Sequence, residues 1–224
     1  MSAKKALIVG ATGLVGKALV KHLLEKDSYE EITILTRRDL GFKDDRLKIV
    51  LVSDFDKLSE YSKQMNTDDI YCTLGTTRKK AGSKENFIKI DLEYPLELAR
   101  LTKDQPNFKQ FLVVTSLGAN SQSPLFYNET KGKLEEALVA LEIKSLSIFQ
   151  PSLLLGSRDE FRLLEAIGKF FSALLSFFVV GSKKRLWAIK GEEVAEAMYM
   201  VSKKNESGLK YYKPNDMLKM IYAW

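Results

Sequence analysis

Residues 6–16 read Ala-Leu-Ile-Val-Gly-Ala-Thr-Gly-Leu-Val-Gly, an apolar strand-like run that meets glycines at positions 10, 13 and 16 and then enters a helical pattern over Leu14–Lys26. Few arrangements constrain a fold more. A strand that turns straight into a helix needs residues tolerant of positive φ, and glycine supplies them. Phosphate oxygens can approach such a backbone with no Cβ in the way. The helix start offers free N–H groups and a partial positive charge. A glycine at position 16 lets that helix lie close to the sheet. Glycines also serve ordinary turns and caps, so the weight rests on their placement between a first strand and a first helix. The reading is a dinucleotide cradle formed by Gly10, Thr12, Gly13, Leu14, Val15 and Gly16.

Strand-like runs recur at Ala6–Val9, Ile32–Leu35, Leu47–Val52, Ile70–Thr73, Phe111–Thr115 and Ser147–Phe149. Helical patterns fall between them, near Leu14–Lys26, Phe55–Tyr61, Lys84–Thr102 and Asn128–Leu141. Alternation of this kind signals βαβ units and a parallel sheet. Runs such as ALIV and FLVV are apolar throughout and LKIVLV is broken only by Lys48, the pattern expected of strands covered on both faces. The expected fold is α/β: a three-layer, doubly wound Rossmann architecture with a mostly parallel sheet. At 224 residues the chain suits one such domain, residues 1–224. After Pro151 the pattern changes. Two amphipathic helices, Glu160–Phe178 and Glu192–Ser202, are expected to make residues 152–224 a small substrate-side cap at the carboxyl edge of the sheet.

The second strand ends in Thr36-Arg37-Arg38, where an acidic residue would select NAD through the ribose hydroxyls. Two guanidiniums suit a 2′-phosphate instead, so NADP(H) is expected over NAD(H). The alternative is a basic loop paired with Asp39. Asp54 closes the third strand and fits either an adenine amino group or the N-cap of the next helix.

Ser116 ends the fifth strand, Tyr127 follows eleven residues later, and Lys131 lies at i+4 from it. That spacing puts phenol and ammonium on one helix face. A phenol titrating near 10 is a poor catalyst at neutral pH, and a neighbouring ammonium together with a positive nicotinamide ring favours the phenolate. Ser116 would hold a carbonyl oxygen, Tyr127 exchange its proton, and Lys131 tune Tyr127 while binding the nicotinamide ribose.

At these residues the chain resembles the short-chain dehydrogenases/reductases, in the atypical subgroup typified by the Tat-interactive protein oxidoreductase. The most specific stretch is Cys72-Thr73-Leu74-Gly75-Thr76-Thr77-Arg78-Lys79-Lys80-Ala81-Gly82. Residues Lys84 to Tyr94, Phe126 to Glu136 and Gln150-Pro151-Ser152-Leu153-Leu154-Leu155-Gly156 extend it. The resemblance implies NADPH binding, with Leu74, Gly75 and Thr76 beside the dinucleotide and Pro151 and Leu153 near the nicotinamide. The subgroup commonly has Arg-Pro-Gly where this chain has Gln150-Pro151-Ser152, a departure at the substrate end.

Other features point to packing. Cys72 lies alone on a buried strand, so no disulfide can form within the chain, which suits a reducing cytoplasm. The single His22 has no clustered ligands for a metal. The net charge of +6 comes from scattered lysines, and no nucleic-acid partner is expected. Phe170, Phe171, Phe177 and Phe178 form an aromatic stripe that fits a core, a homodimer face or a protein partner better than a membrane surface. Three functions agree with these features: an NADPH-dependent reductase of a small carbonyl compound, a dinucleotide-sensing binding protein without turnover, and, more remotely, a sugar-nucleotide epimerase.

Overall fold

The computed structural model describes residues 4–155 and 188–222. Seven strands form one wholly parallel sheet: β1 (Lys4–Val9), β2 (Tyr29–Thr36), β3 (Leu47–Leu51), β4 (Asp69–Cys72), β5 (Gln110–Val114), β6 (Ser145–Phe149) and β9 (Gly208–Tyr212), in the spatial order β3-β2-β1-β4-β5-β6-β9. The order reverses at β1. The crevice beyond the carboxyl ends of β1 and β4 is therefore the switch point where ligands of such sheets bind. Two short strands, β7 (Leu153–Leu155) and β8 (Ala188–Lys190), pair separately in parallel.

Helices cover both faces. One face carries α1 (Leu14–Glu25) and α6 (Gly191–Lys204), which bury Leu19, Val20, Leu23, Val194, Met198 and Val201 against β1 and its neighbours. The other carries α4 (Tyr94–Thr102), α5 (Phe126–Val139) and the 3-10 segment Phe55–Met65, closed over Val113, Leu134, Leu138 and Ile148. Two short helices, α2 (Arg78–Ala81) and α3 (Lys84–Ile88), follow β4, and α7 (Pro214–Tyr222) ends the described chain.

Three expectations change. The helix expected over Lys84–Thr102 is interrupted by a π-turn at Lys89–Glu93. Residues Glu192–Ser202 do not cap the carboxyl edge. As α6 they pack on α1 in the core, and the following β9 enlarges the main sheet, because their apolar stripe matches α1's. β9 was invisible as a strand because Gly-Leu-Lys-Tyr-Tyr is an edge strand with mostly exposed residues and no continuous apolar run. The expected helix Glu160–Phe178, with its aromatic stripe, and Gly156 lie outside the described residues.

A polar knot ties the amino ends of the strands together. Asp69, fully buried, accepts from Tyr29 Oη at 2.6 Å, Gln110 Nε2 at 2.8 Å and Lys4 Nζ at 3.1 Å. These partners come from β2, β5 and β1. Removing the carboxylate would take the one charged acceptor from donors whose remaining partners are the neutral oxygens of Ser202, Asn205 and Tyr71. Asp69→Ala should therefore lower stability by about 3 kcal/mol in urea unfolding, with little change in dinucleotide affinity because the knot sits at the opposite end of the sheet from the crevice.

Candidate dinucleotide and catalytic site

The β1–α1 turn is held by backbone alone. Gly10 has φ +95°, and a Cβ there would lie 2.5 Å from the Thr73 carbonyl carbon and 2.6 Å from Leu74 N. A Cβ on Gly16 would lie 2.3 Å from Gly10 O and 2.7 Å from Thr73 Oγ1. Both glycines are thus demanded by the protein's own packing. Gly13 differs: its φ is an ordinary −80°, and an added Cβ would meet only Gly10 O, at 3.4 Å. It is exposed, it caps α1 without a side-chain hydrogen bond, and no acidic residue stands in the first turn. The first-turn amides have no carbonyl to bond within the helix, so Leu14, Val15 and Gly16 present donors beside a cleared backbone. These residues fit a pyrophosphate. Thr12 is half-buried in the turn, and Val15 is buried under it.

Arg37 and Arg38 follow β2 and are exposed. Asp39, expected as a competing partner, accepts the Gly41 N–H at 2.9 Å, and neither guanidinium forms an ion pair among the described residues. Asp54 caps the 3-10 segment, its Oδ1 accepting from Asp56 N at 2.9 Å, which is the second of its two expected roles.

At the ends of β4, β5 and β6 the catalytic candidates come together. Ser116 is 7% exposed, and its Oγ is buried without a hydrogen-bond partner, as is that of Ser152. Backbone joins their two loops, since Leu117 N donates to Pro151 O at 2.8 Å. Leu153 begins β7 and is exposed. Tyr127 and Lys131 share one face of α5 and interact electrostatically, with Ser116 close enough to favour the phenolate.

The residue that sequence reasoning missed is Asp91. It sits in the π-turn, fully buried, and its Oδ1 lies 2.7 Å from Lys131 Nζ. Its Oδ2 accepts the Thr76 N–H at 2.8 Å, and Gly75 lies against the pair. The π-turn shifts the helix register so that this carboxylate points at α5, a use such turns often serve. The only signal in the chain was an acidic residue inside the apolar stretch Phe87–Leu92.

Asp91 also corrects the electrostatics. Lys131 alone would lower the Tyr127 pKa, but burial pushes the phenol above its ordinary value and outweighs Lys131, with the Asp91 charge adding to the rise. Lys131 is itself held above the usual lysine range by Asp91 against the cost of burial. The protein's own groups therefore keep Tyr127 protonated at neutral pH, as a proton donor must be. Burial likewise pushes the Cys72 thiol up to about 12, as expected of a packed side chain. His22 stacks edge-on to Tyr199 at 4.9 Å, and no cluster among the described residues could hold a metal.

A third group fixes α5. A Cβ on Gly132 would lie 2.1 Å from Ser121 N and 2.2 Å from the Asn120 carbonyl carbon, so the loop after Ser116 is pressed against the helix that carries Tyr127 and Lys131. Beside it, buried Glu135 accepts from Thr115 Oγ1 at 2.5 Å and from Gln150 Nε2 at 3.0 Å. Gln150, the departure from Arg-Pro-Gly, thus serves as a neutral donor to this carboxylate.

Comparison with known proteins agrees with this fold. Residues 6–137 match the profile of the NAD dependent epimerase/dehydratase family. The chain is 37% identical over 178 residues to Protein HTATIP2 of Rattus norvegicus, covering 78% of this chain and 73% of that one. It is 42% identical over 157 residues to Protein FMP52, mitochondrial, of Candida albicans, covering 68% of each. Among solved structures, the Bordetella bronchiseptica enzyme WbmF in complex with NAD+ superposes with a TM-score of 0.67 at 13% identity, over 98% of this chain and 78% of that one. UDP-N-acetylglucosamine 4-epimerase from Bacillus cereus does so with a TM-score of 0.65 at 15% identity, over 94% and 75%. At these identities the structures speak to the fold alone.

Gly13→Ala should leave the melting temperature within about 2 °C while weakening dinucleotide binding at least about tenfold, whereas Gly16→Ala should cost about 3 kcal/mol of stability. Paired calorimetric and binding titrations check both. Asp91→Asn keeps an acceptor for Thr76 N–H but removes the charge that raises the Tyr127 pKa. Phenolate absorbance, read against the Asp91→Asn, Tyr127→Phe double variant, should then appear at lower pH than in the parent protein, at a stability cost of about 3 kcal/mol for the unpaired Lys131.

Proposed function

The chain belongs to the NAD dependent epimerase/dehydratase family, and within it we propose an NADPH-dependent reductase that acts on a small carbonyl compound. The observation that carries this reading is the convergence of Ser116, Tyr127 and Lys131 at the crevice beside the glycine cradle. The bound dinucleotide would supply hydride to the carbonyl carbon. Ser116, whose buried Oγ lies beside Tyr127, donates to the carbonyl oxygen and fixes its position. Tyr127 then passes its proton to that oxygen as negative charge develops there. The resulting phenolate is stabilised by the Lys131 ammonium, which Asp91 holds charged and in place. Lys131 also has donors to offer a ribose hydroxyl. The preference for NADPH rests on Arg37 and Arg38, two unpaired guanidiniums at the end of β2.

A cytoplasmic site of action is proposed, with the mitochondrion as its rival because the Candida albicans relative bears that word in its name. Among the described residues no helix is long and apolar enough to cross a membrane.

The decisive experiment is calorimetric titration with NADPH and with NADH, repeated on Arg37→Ala, Arg38→Ala. NADPH should bind in the micromolar range and lose about a hundredfold in the double variant, with NADH little changed. An aldehyde and ketone screen monitored by loss of NADPH absorbance then reads turnover, which Tyr127→Phe should reduce at least about a hundredfold. Dinucleotide binding with no turnover would favour the sensing protein. Net oxidation of NADPH would set the reaction apart from an epimerase, which returns its dinucleotide to the starting state.

A further inference from the structure

The charges around Tyr127 are unevenly placed. The loop after β4 carries Arg78, Lys79, Lys80 and Lys84, all exposed, and none of the four forms an ion pair with another element among the described residues. One carboxylate, Glu85, shares the stretch; it is held below the usual range by backbone N–H, the Ser83 hydroxyl and neighbouring Lys84. The opposite wall, Ser116–Asn128, contains no charged residue, and neither does Gly10–Gly16. Lys131 is neutralised by Asp91. Among the described residues, the stretches Gly10–Gly16 and Ser116–Asn128 therefore bring no carboxylate to answer the positive charge after β4.

Two of these cations are held over the ring of the residue that precedes Tyr127. Arg78 Cζ lies 5.6 Å from the centre of the Phe126 ring, and Lys84 Nζ lies 5.5 Å from it. Phe126 directly precedes Tyr127, and Phe87 packs on both, at 5.4 Å and 5.8 Å between ring centres. An aromatic face steadies a cation without cancelling its charge or using its N–H donors. The guanidinium and ammonium are thus held in place with their hydrogen-bonding capacity free.

Their position separates them from the dinucleotide's own phosphates. The pyrophosphate donors start α1, and the 2′-phosphate candidates Arg37 and Arg38 end β2. In the strand order both lie on the β1–β2 side of the crevice, while Arg78 follows β4 and Tyr127 follows β5. Resting on the reductase reading above, we propose that the ligand taken beside Tyr127 is anionic, a small carbonyl compound bearing a carboxylate or phosphate that Arg78 and Lys84 receive. The reaction is unchanged in its balance: hydride goes to the carbonyl carbon, the Tyr127 proton to its oxygen, and the anionic group stays intact.

The test uses the full chain saturated with NADP+ at low ionic strength. Succinate and inorganic phosphate serve as binding probes, each read calorimetrically, which separates the two anion sources. Arg78→Gln, Lys84→Gln should weaken the bound anion at least about tenfold, while NADPH affinity stays within about twofold. Turnover of succinic semialdehyde should exceed that of pentanal in kcat/KM, and the double variant should remove the difference through KM. The proposal is overturned if neither anion binds, if the variant binds both as the parent does, or if the variant loses NADPH instead. Anion binding that the variant loses, with neither aldehyde reduced, would support the anion site and overturn the reductase reading alone.

Discussion

The carboxyl edge of this protein is organised by a contact of backbone on backbone. The turn at Gly10 lies against Thr73 and Leu74 so closely that no side chain fits between them, and Thr73 reaches back to Val9 O with its N–H at 2.8 Å and its hydroxyl at 3.1 Å. This welds the end of β1 to the end of β4. The start of α1 is thereby placed at the switch point, where its free amides face the crevice. The Gly75–Asp91–Lys131 cluster stands directly beyond the weld. Phosphate cradle and catalytic helix therefore take their separation from one junction.

The second determinant is a buried charge pair. Lys131 and Asp91 are each nearly sealed from water, so each compensates the buried charge of the other. Such a pair adds little net stability, yet losing either partner is costly, and that asymmetry ties the π-turn to α5. It also decides the resting state of Tyr127. With the ammonium balanced, burial governs the phenol and the proton stays on it.

Much of the fold was legible in the residues. Strands buried on both faces announce themselves as nearly unbroken apolar runs, which is why β1, β4 and β5 are legible to within a residue or two, while the serines of β6 shorten its readable part to Ser147–Phe149. The edge strand β9 was not, because half of a strand at a sheet's margin faces water and its pattern fades into loop. α6 was recognised as a helix but assigned to the wrong layer: amphipathicity shows that a face is buried, not what covers it. In the site, motifs defined by local spacing were readable, among them Gly10–Gly16 and Tyr127–Lys131. Asp91 was not, because it meets Lys131 across forty residues of sequence and only through a change of helical register. Gln150 is legible as a departure, but its partner Glu135 is not, because the two meet only where α5 packs beside the end of β6.

The press of the Asn120–Ser121 backbone on Gly132 carries one last implication. It joins the Ser116 loop and the Tyr127–Lys131 helix into a single rigid jaw, while the basic stretch from Thr76 to Lys84 belongs to a different segment of chain. The two segments still meet at fixed points, Arg78 and Lys84 over the Phe126 ring and the Thr76 N–H on Asp91. A replacement of that stretch would leave the proton-transfer apparatus unaltered only if it kept a backbone donor where Thr76 holds Asp91 and a packing partner for Phe126.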